Sequence, residues 1–160
     1  MTKVSLGTKT AIEKRRHKHP KIEGGCLCGT VRFRIDNNFS NLLICHCKQC
    51  RKTTGAGSAA NLISTTGSLE LTNGADLVTT FRHPTRYFTK AFCGLCGGAV
   101  PYLNHTETLC FVPAGSLEGE PEVTRQDNIF TEERPDWCTA GYLAENHIGF
   151  GSVFEDLRKQ

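Results

Sequence analysis

Apolar and polar positions alternate most clearly at residues 30–35, where Val31, Phe33 and Ile35 are interleaved with Thr30, Arg32 and Arg34. A period of two puts one set on each face of a pleated backbone, so this segment predicts a half-buried β-strand. Asp36, Asn37 and Asn38 follow as turn formers. Shorter strand-like pieces recur at 69–71, 77–81, 87–92, 99–103 and 109–112, each bounded by Gly, Pro, Asn or Thr. No window sustains the i, i+3, i+4, i+7 spacing of an amphipathic helix over three turns, although residues 152–159 predict a short terminal helix. Segments 53–58 and 64–68, rich in Gly, Ser and Thr, read as connections between small sheets. The pattern predicts a mainly β domain with short helical pieces.

Length and composition sharpen this without changing it. A chain of 160 residues, 38% of them hydrophobic, suffices for one domain with its own core. No uninterrupted apolar run exceeds the four residues of 42–45, against about 20 for a bilayer-spanning helix. The first 21 residues lack an apolar stretch of the kind a secretory signal carries, so a cytoplasmic address is expected, with a nuclear one as the alternative. Charge is uneven: residues 1–21 hold seven Lys/Arg and one Glu, whereas the remainder holds twelve basic and fifteen acidic residues. The expected division is a basic, flexible extension over 1–21, a folded domain over 22–150 and a C-terminal segment over 151–160. The run from Lys14 to Lys21 suits nuclear import or polyanion binding, and equally a solvated extension.

Nine cysteines change the picture more than charge does. In a reducing compartment thiols are seldom kept as disulfides, which makes metal binding the first candidate. Seven of the nine fall into three clusters: Cys26 and Cys28; Cys45, Cys47 and Cys50; Cys93 and Cys96. Tetrahedral zinc holds thiolates at about 2.3 Å, so the sulfurs of one site must converge. Two pairs far apart in sequence make a closed structural site from Cys26, Cys28, Cys93 and Cys96, and glycines at 24, 25, 29, 94, 97 and 98 let the backbone curl around them. The middle cluster offers three ligands, and three ligands leave a coordination position for substrate, the pattern of a catalytic zinc. Alternatives are a redox pair, an iron–sulfur cluster, or a closed site in which His46 joins the middle three. Cys110 and Cys138 read as packing residues.

The segments GGCLCGTVRF at 24–33, CHCKQCRK at 45–52 and FCGLCGG at 92–98, in that order, resemble the glutathione-dependent formaldehyde-activating enzyme family, also called the Gfa or centromere-protein-V family. The resemblance spans roughly residues 22–140. It implies a β-tent fold of several small antiparallel sheets, one structural and one catalytic zinc per chain, and a carbon–sulfur lyase reaction that joins glutathione and formaldehyde as S-(hydroxymethyl)glutathione. Residues 127–137 resemble the family's acidic stretch ending in Trp, with Cys138 standing where a bulky residue is common.

The function expected is therefore a zinc-dependent enzyme acting on a small thiol and an aldehyde, with Cys45, Cys47 and Cys50 as the catalytic group. Arg51 and Lys52, directly after the last ligand, are expected to hold a carboxylate of the thiol, and Trp137 to line the cleft. The rival expectation is a non-catalytic zinc-stabilised binding module whose basic tail contacts an acidic partner such as nucleic acid.

Overall fold

The computed structural model of the protein describes residues 19–149. The basic run up to residue 18 and the helix expected at 152–159, with the rest of segment 151–160, lie outside the described residues. In chain order the strands are β1 (Lys21–Gly25), β2 (Arg32–Asp36), β3 (Phe39–Cys45), β4 (Ala59–Thr65), β5 (Glu70–Asn73), β6 (Val78–Arg82), β7 (Thr89–Cys93), β8 (Ala99–Val100), β9 (Tyr102–Leu103), β10 (Leu109–Pro113) and β11 (Val123–Ile129). Two short helices, α1 (Lys48–Thr54) and α2 (Asp136–Gly141), and several 3-10 turns connect them.

The strands form three small sheets, ordered β1-β2-β5, β11-β3-β4-β10-β9 and β6-β7-β8. The expected mainly β architecture with few helical pieces is what the structure shows. One pairing departs from the antiparallel expectation: β11 runs parallel to β3, with Val123 opposite Phe39 and Ile129 opposite Cys45. The first strand begins at Lys21, one residue before the expected start of the fold. Lys21 pairs with Asp36 at 2.9 Å and donates to the Ser68 carbonyl at 3.1 Å. The connection expected at 64–68 is divided, Ser64 and Thr65 ending β4 and Thr66–Ser68 forming a 3-10 turn.

The alternation at 30–35 has its physical outcome in β2, where Phe33 and Ile35 are fully buried while Arg34 is exposed. These two pack with Ile22, Phe39, Leu62, Cys110 and Val112, so the first sheet covers one face of the five-stranded sheet. Burying each such side chain stabilises the fold by about 1.5–3 kcal/mol. Gly24 of β1 is required here, because a Cβ on it would collide with the Phe33 ring and the Ser116 carbonyl oxygen.

The five-stranded sheet has two apolar faces. Leu42, Leu62 and Val112 stand opposite one another in register and turn toward the core just described. Their neighbours Leu43, Asn61 and Phe111 fall on the other face. That second face is continued by Tyr102, whose ring stacks on Phe111 at a centroid distance of 5.4 Å. A second, smaller core of Cys26, Val31, Ala91, Cys93 and Val100 joins the end of the first sheet to the third.

Candidate metal centres and their cavity

Cys26 and Cys28 lie in the turn that follows β1, Cys93 ends β7, and Cys96 lies in the turn before β8. Their sulfurs all fall within 4.8 Å of one another. The Sγ atoms of Cys26 and Cys28 are 3.5 Å apart, and those of Cys28 and Cys93 are 3.9 Å apart. Four thiolates at about 2.3 Å from a tetrahedral zinc would be separated by about 3.8 Å, so the group fits such an ion. Backbone amides support the sulfurs: Val31 N–H donates to Cys26 at 3.3 Å and Gly98 N–H to Cys96 at 3.4 Å. Gly98 allows this approach, since a Cβ there would lie 2.8 Å from the Leu27 nitrogen. Hydrogen bonding to Thr30 pulls the Cys28 thiol down to about 6, toward the thiolate that a metal needs.

Cys45, Cys47 and Cys50 converge separately, again within 4.8 Å. Cys45 ends β3 and is buried, while Cys47 is the N-cap of α1 and accepts the Cys50 N–H at 3.5 Å. The C-cap of that helix, Gly55, has φ of 67°, a conformation that suits glycine. Burial pushes the Cys45 and Cys50 thiols upward, and the other sulfurs of the cluster raise Cys50 further. A cation beside Cys45 and Cys50 would offset that shift, and an all-sulfur donor set suits a thiophilic metal such as zinc.

His46 does not join this group. Its ring is fully buried: Nδ1 donates to the Gly57 carbonyl at 3.1 Å, leaving Nε2 to accept from the Arg134 guanidinium at 3.1 Å. Alternation along the strand end turns residue 46 away from residues 45 and 47. Cys110 lies fully buried in the main core, and Cys138 rests against Gly57 beside α1.

The three-cysteine cluster opens into a cavity of about 580 Å³. Its floor is the second face of the five-stranded sheet, with Leu43, Asn61, Tyr102, Phe111 and Ile129. Phe88, Thr89, Arg86 and Tyr87 come from the turn between β6 and β7 and the start of β7, and His105 from the turn after β9. Lys48, Gln49, Phe130 and Glu133 complete the rim, where the Glu133 carboxylate accepts the Lys48 N–H at 2.8 Å. Phe130 reaches the rim with a backbone φ of 55°, a strained value for a non-glycine residue. Of the residues lining it, Asn61 and Thr89 each have a buried polar atom, Oδ1 and Oγ1, with no hydrogen-bond partner among the described residues.

The sequence-predicted substrate residues sit elsewhere. Arg51 donates from Nε to the His46 carbonyl at 3.1 Å, Lys52 is exposed on α1, and neither lines the cavity. Trp137 is 62% exposed on α2 and packs toward Gly57 rather than the cavity. The cavity cations that sequence reasoning missed are Lys48 and Arg86. Lys48 carried a usable signal, since it stands between two of the cysteines.

Several known proteins are similar to this chain. A Halomonas elongata protein, provisionally named a glutathione-dependent formaldehyde-activating enzyme, is 27% identical over 154 residues, covering 81% of this chain and 96% of its own length. The crystal structure of a Rhodobacter sphaeroides protein matches with a TM-score of 0.53 at 23% identity, covering 66% of this chain and 99% of the other, a likeness of fold alone. The family model described as "Glutathione-dependent formaldehyde-activating enzyme" matches residues 21–133, which contain both cysteine groups and every strand, and the chain therefore belongs to that family.

Proposed function

We propose that this protein is a zinc-dependent enzyme that joins a small thiol to an aldehyde, glutathione and formaldehyde being the pair its family name indicates, and that the reverse reaction occurs at the same site. The observation that carries this reading is the pairing of a three-sulfur group with a sizeable cavity. Among the described residues no fourth His, Cys, Asp or Glu completes that group, in contrast to the four-cysteine group. Zinc held by Cys45, Cys47 and Cys50 would supply a cation that favours the thiolate form of a thiol brought beside it.

The chain's own residues do the rest. Lys48 and Arg86 at the rim offer charged donors to the carboxylates of the thiol. The side chains of Leu43 and Phe111 and the ring of Tyr102 keep water away from the sulfur that attacks the carbonyl carbon. The carbon–sulfur bond forms as the carbonyl π pair moves to oxygen, and the proton given up by the thiol ends on that oxygen, so the sum is addition of a thiol across a carbonyl. The four-cysteine group takes no part in this and holds the first and third sheets together.

Two-dimensional exchange NMR on glutathione and formaldehyde tests the proposal. Catalytic amounts of the metal-loaded full chain should speed interconversion of free thiol and adduct above the uncatalysed rate. Cys47→Ser should abolish the effect and leave the fold intact by circular dichroism. Exchange at the background rate with both metals retained would remove the reading.

A further inference from the structure

The cavity is larger and more apolar than formaldehyde requires. Formaldehyde has two heavy atoms and is little larger than a water molecule, whose share of liquid volume is about 30 Å³, whereas the cavity measures about 580 Å³. The polar groups of a glutathione-like thiol have counterparts at the rim, in Lys48, Arg86 and His105. They have fewer on the floor, where Leu43, Phe111, Ile129 and the ring of Tyr102 present apolar surface on either side of Asn61. Leu43 is two residues from Cys45 on the same strand face, and Ile129 stands opposite Cys45 in register. Phe88 closes the same space from the β6–β7 side.

Within that surface Asn61 is the exception. It is 5% exposed, stands opposite Leu43 in register, and its Oδ1 has no partner. A buried acceptor left unpaired destabilises a fold, and the hydroxyl formed when a thiol adds to an aldehyde is a donor of the right kind. Small-molecule sites are built in this way, with apolar walls and a small number of placed polar groups.

Building on the thiol–aldehyde reading above, we infer that the aldehyde taken by this site carries an apolar substituent of aromatic size. The substituent lies on Leu43, Phe111, the Tyr102 ring and Phe88, and the Asn61 amide turns to bring Oδ1 within reach of the adduct hydroxyl. The reaction is the same balanced addition, with the new carbon–sulfur bond forming at a substituted carbon.

Two thioethers that mimic the adduct without its chemistry test the inference by isothermal titration calorimetry on the metal-loaded full chain: S-benzylglutathione and S-methylglutathione. Burial of the ring should make the benzyl compound bind roughly ten- to a hundredfold more tightly. Phe88→Ala, with a melting temperature measured alongside, should shrink that ratio severalfold and leave the methyl compound nearly unchanged. Exchange NMR with phenylacetaldehyde should show a larger acceleration over background than with formaldehyde. Equal affinities for the two thioethers, or acceleration confined to formaldehyde, would overturn the inference and leave the thiol–aldehyde reading standing. Acceleration of neither aldehyde would overturn both.

Discussion

Replacing one ligand in each cysteine group separates what the two groups do for the fold. With metal bound as proposed, Cys96→Ser would break a link that joins residues 26 and 28 to residues 93 and 96, whereas Cys47→Ser would break one confined to residues 45–50. A metal link stabilises the native state by restricting the unfolded chain, and the restriction grows with the loop it closes. By the relation used for disulfides, a loop of about 70 residues is worth about 4.4 kcal/mol and one of about six residues about 2.2 kcal/mol. Local costs are matched. Both side chains are half-buried, and each Sγ accepts one backbone N–H, from Gly98 at 3.4 Å and from Cys50 at 3.5 Å. A serine hydroxyl accepts either bond. The three neighbouring cysteines also retain some metal affinity in the unfolded chain, which reduces the stabilisation their link provides. Urea unfolding of the metal-loaded full chain should therefore show Cys96→Ser less stable than Cys47→Ser by about 2 kcal/mol or more. Native mass spectrometry should find one metal left on Cys47→Ser. Equal losses, or a greater loss for Cys47→Ser, would refute the assignment of the long-range group as the structural one.

Three further outcomes follow from the geometry. Burial raises the Cys110 thiol to about 11 from 9.0, so between these values only the unfolded thiol ionises and stability falls as pH rises; below pH 9 the contribution is fully present. Cys110→Ala should lack this alkaline loss, about 2–3 kcal/mol over the window, and parallel urea-unfolding profiles for the two proteins from pH 8 to 11 would contradict it. Gly24→Ala drives a methyl into Phe33 and the Ser116 carbonyl and should cost about 2 kcal/mol or more in a urea melt; an unchanged midpoint would show that the first sheet shifts freely. His46→Ala leaves the Gly57 carbonyl without its imidazole partner and Arg134 with only its 3.5 Å bond to Asn128 Oδ1, and should cost about 2–4 kcal/mol while metal content stays the same; a lost metal would identify His46 as a ligand after all.

Strands were legible in the sequence where one face meets water. β2 alternates because Arg34 points out while Phe33 and Ile35 point in. β3 and β4 do not alternate, because Leu42 and Leu62 pack in the core while Leu43 lines the cavity from the opposite face. A strand apolar on both faces loses its period of two, so segment 42–45 carried no strand signal beyond its hydrophobicity. β11 failed for the opposite reason. It is mostly polar and exposed at the edge of its sheet, and its partner β3 is about 80 residues away in sequence. The cavity floor is invisible for the same cause, since Asn61, Tyr102 and Phe111 meet only after three strands have paired.

The cysteine groups were legible because ligand convergence is a constraint that spacing alone can satisfy. Which neighbouring residues line the cavity was not legible, and the missing piece was the short helix α1. Without α1, the residues directly after Cys50 look nearest to the site, which favours Arg51 and Lys52. In a helix each residue turns about 100° from the last, so positions three apart share a face. Cys47 and Cys50 therefore face the cluster together, while Arg51 and Lys52, one and two residues beyond Cys50, lie outside the cavity lining. Arg51 ends on the His46 carbonyl and Lys52 in solvent. Lys48, the first residue of the helix, lines the cavity. The physical signal was present in the spacing of Cys47 and Cys50: a sulfur at the N-cap and another three residues on is a helix start, with Cys47 standing where Ser or Asp commonly caps.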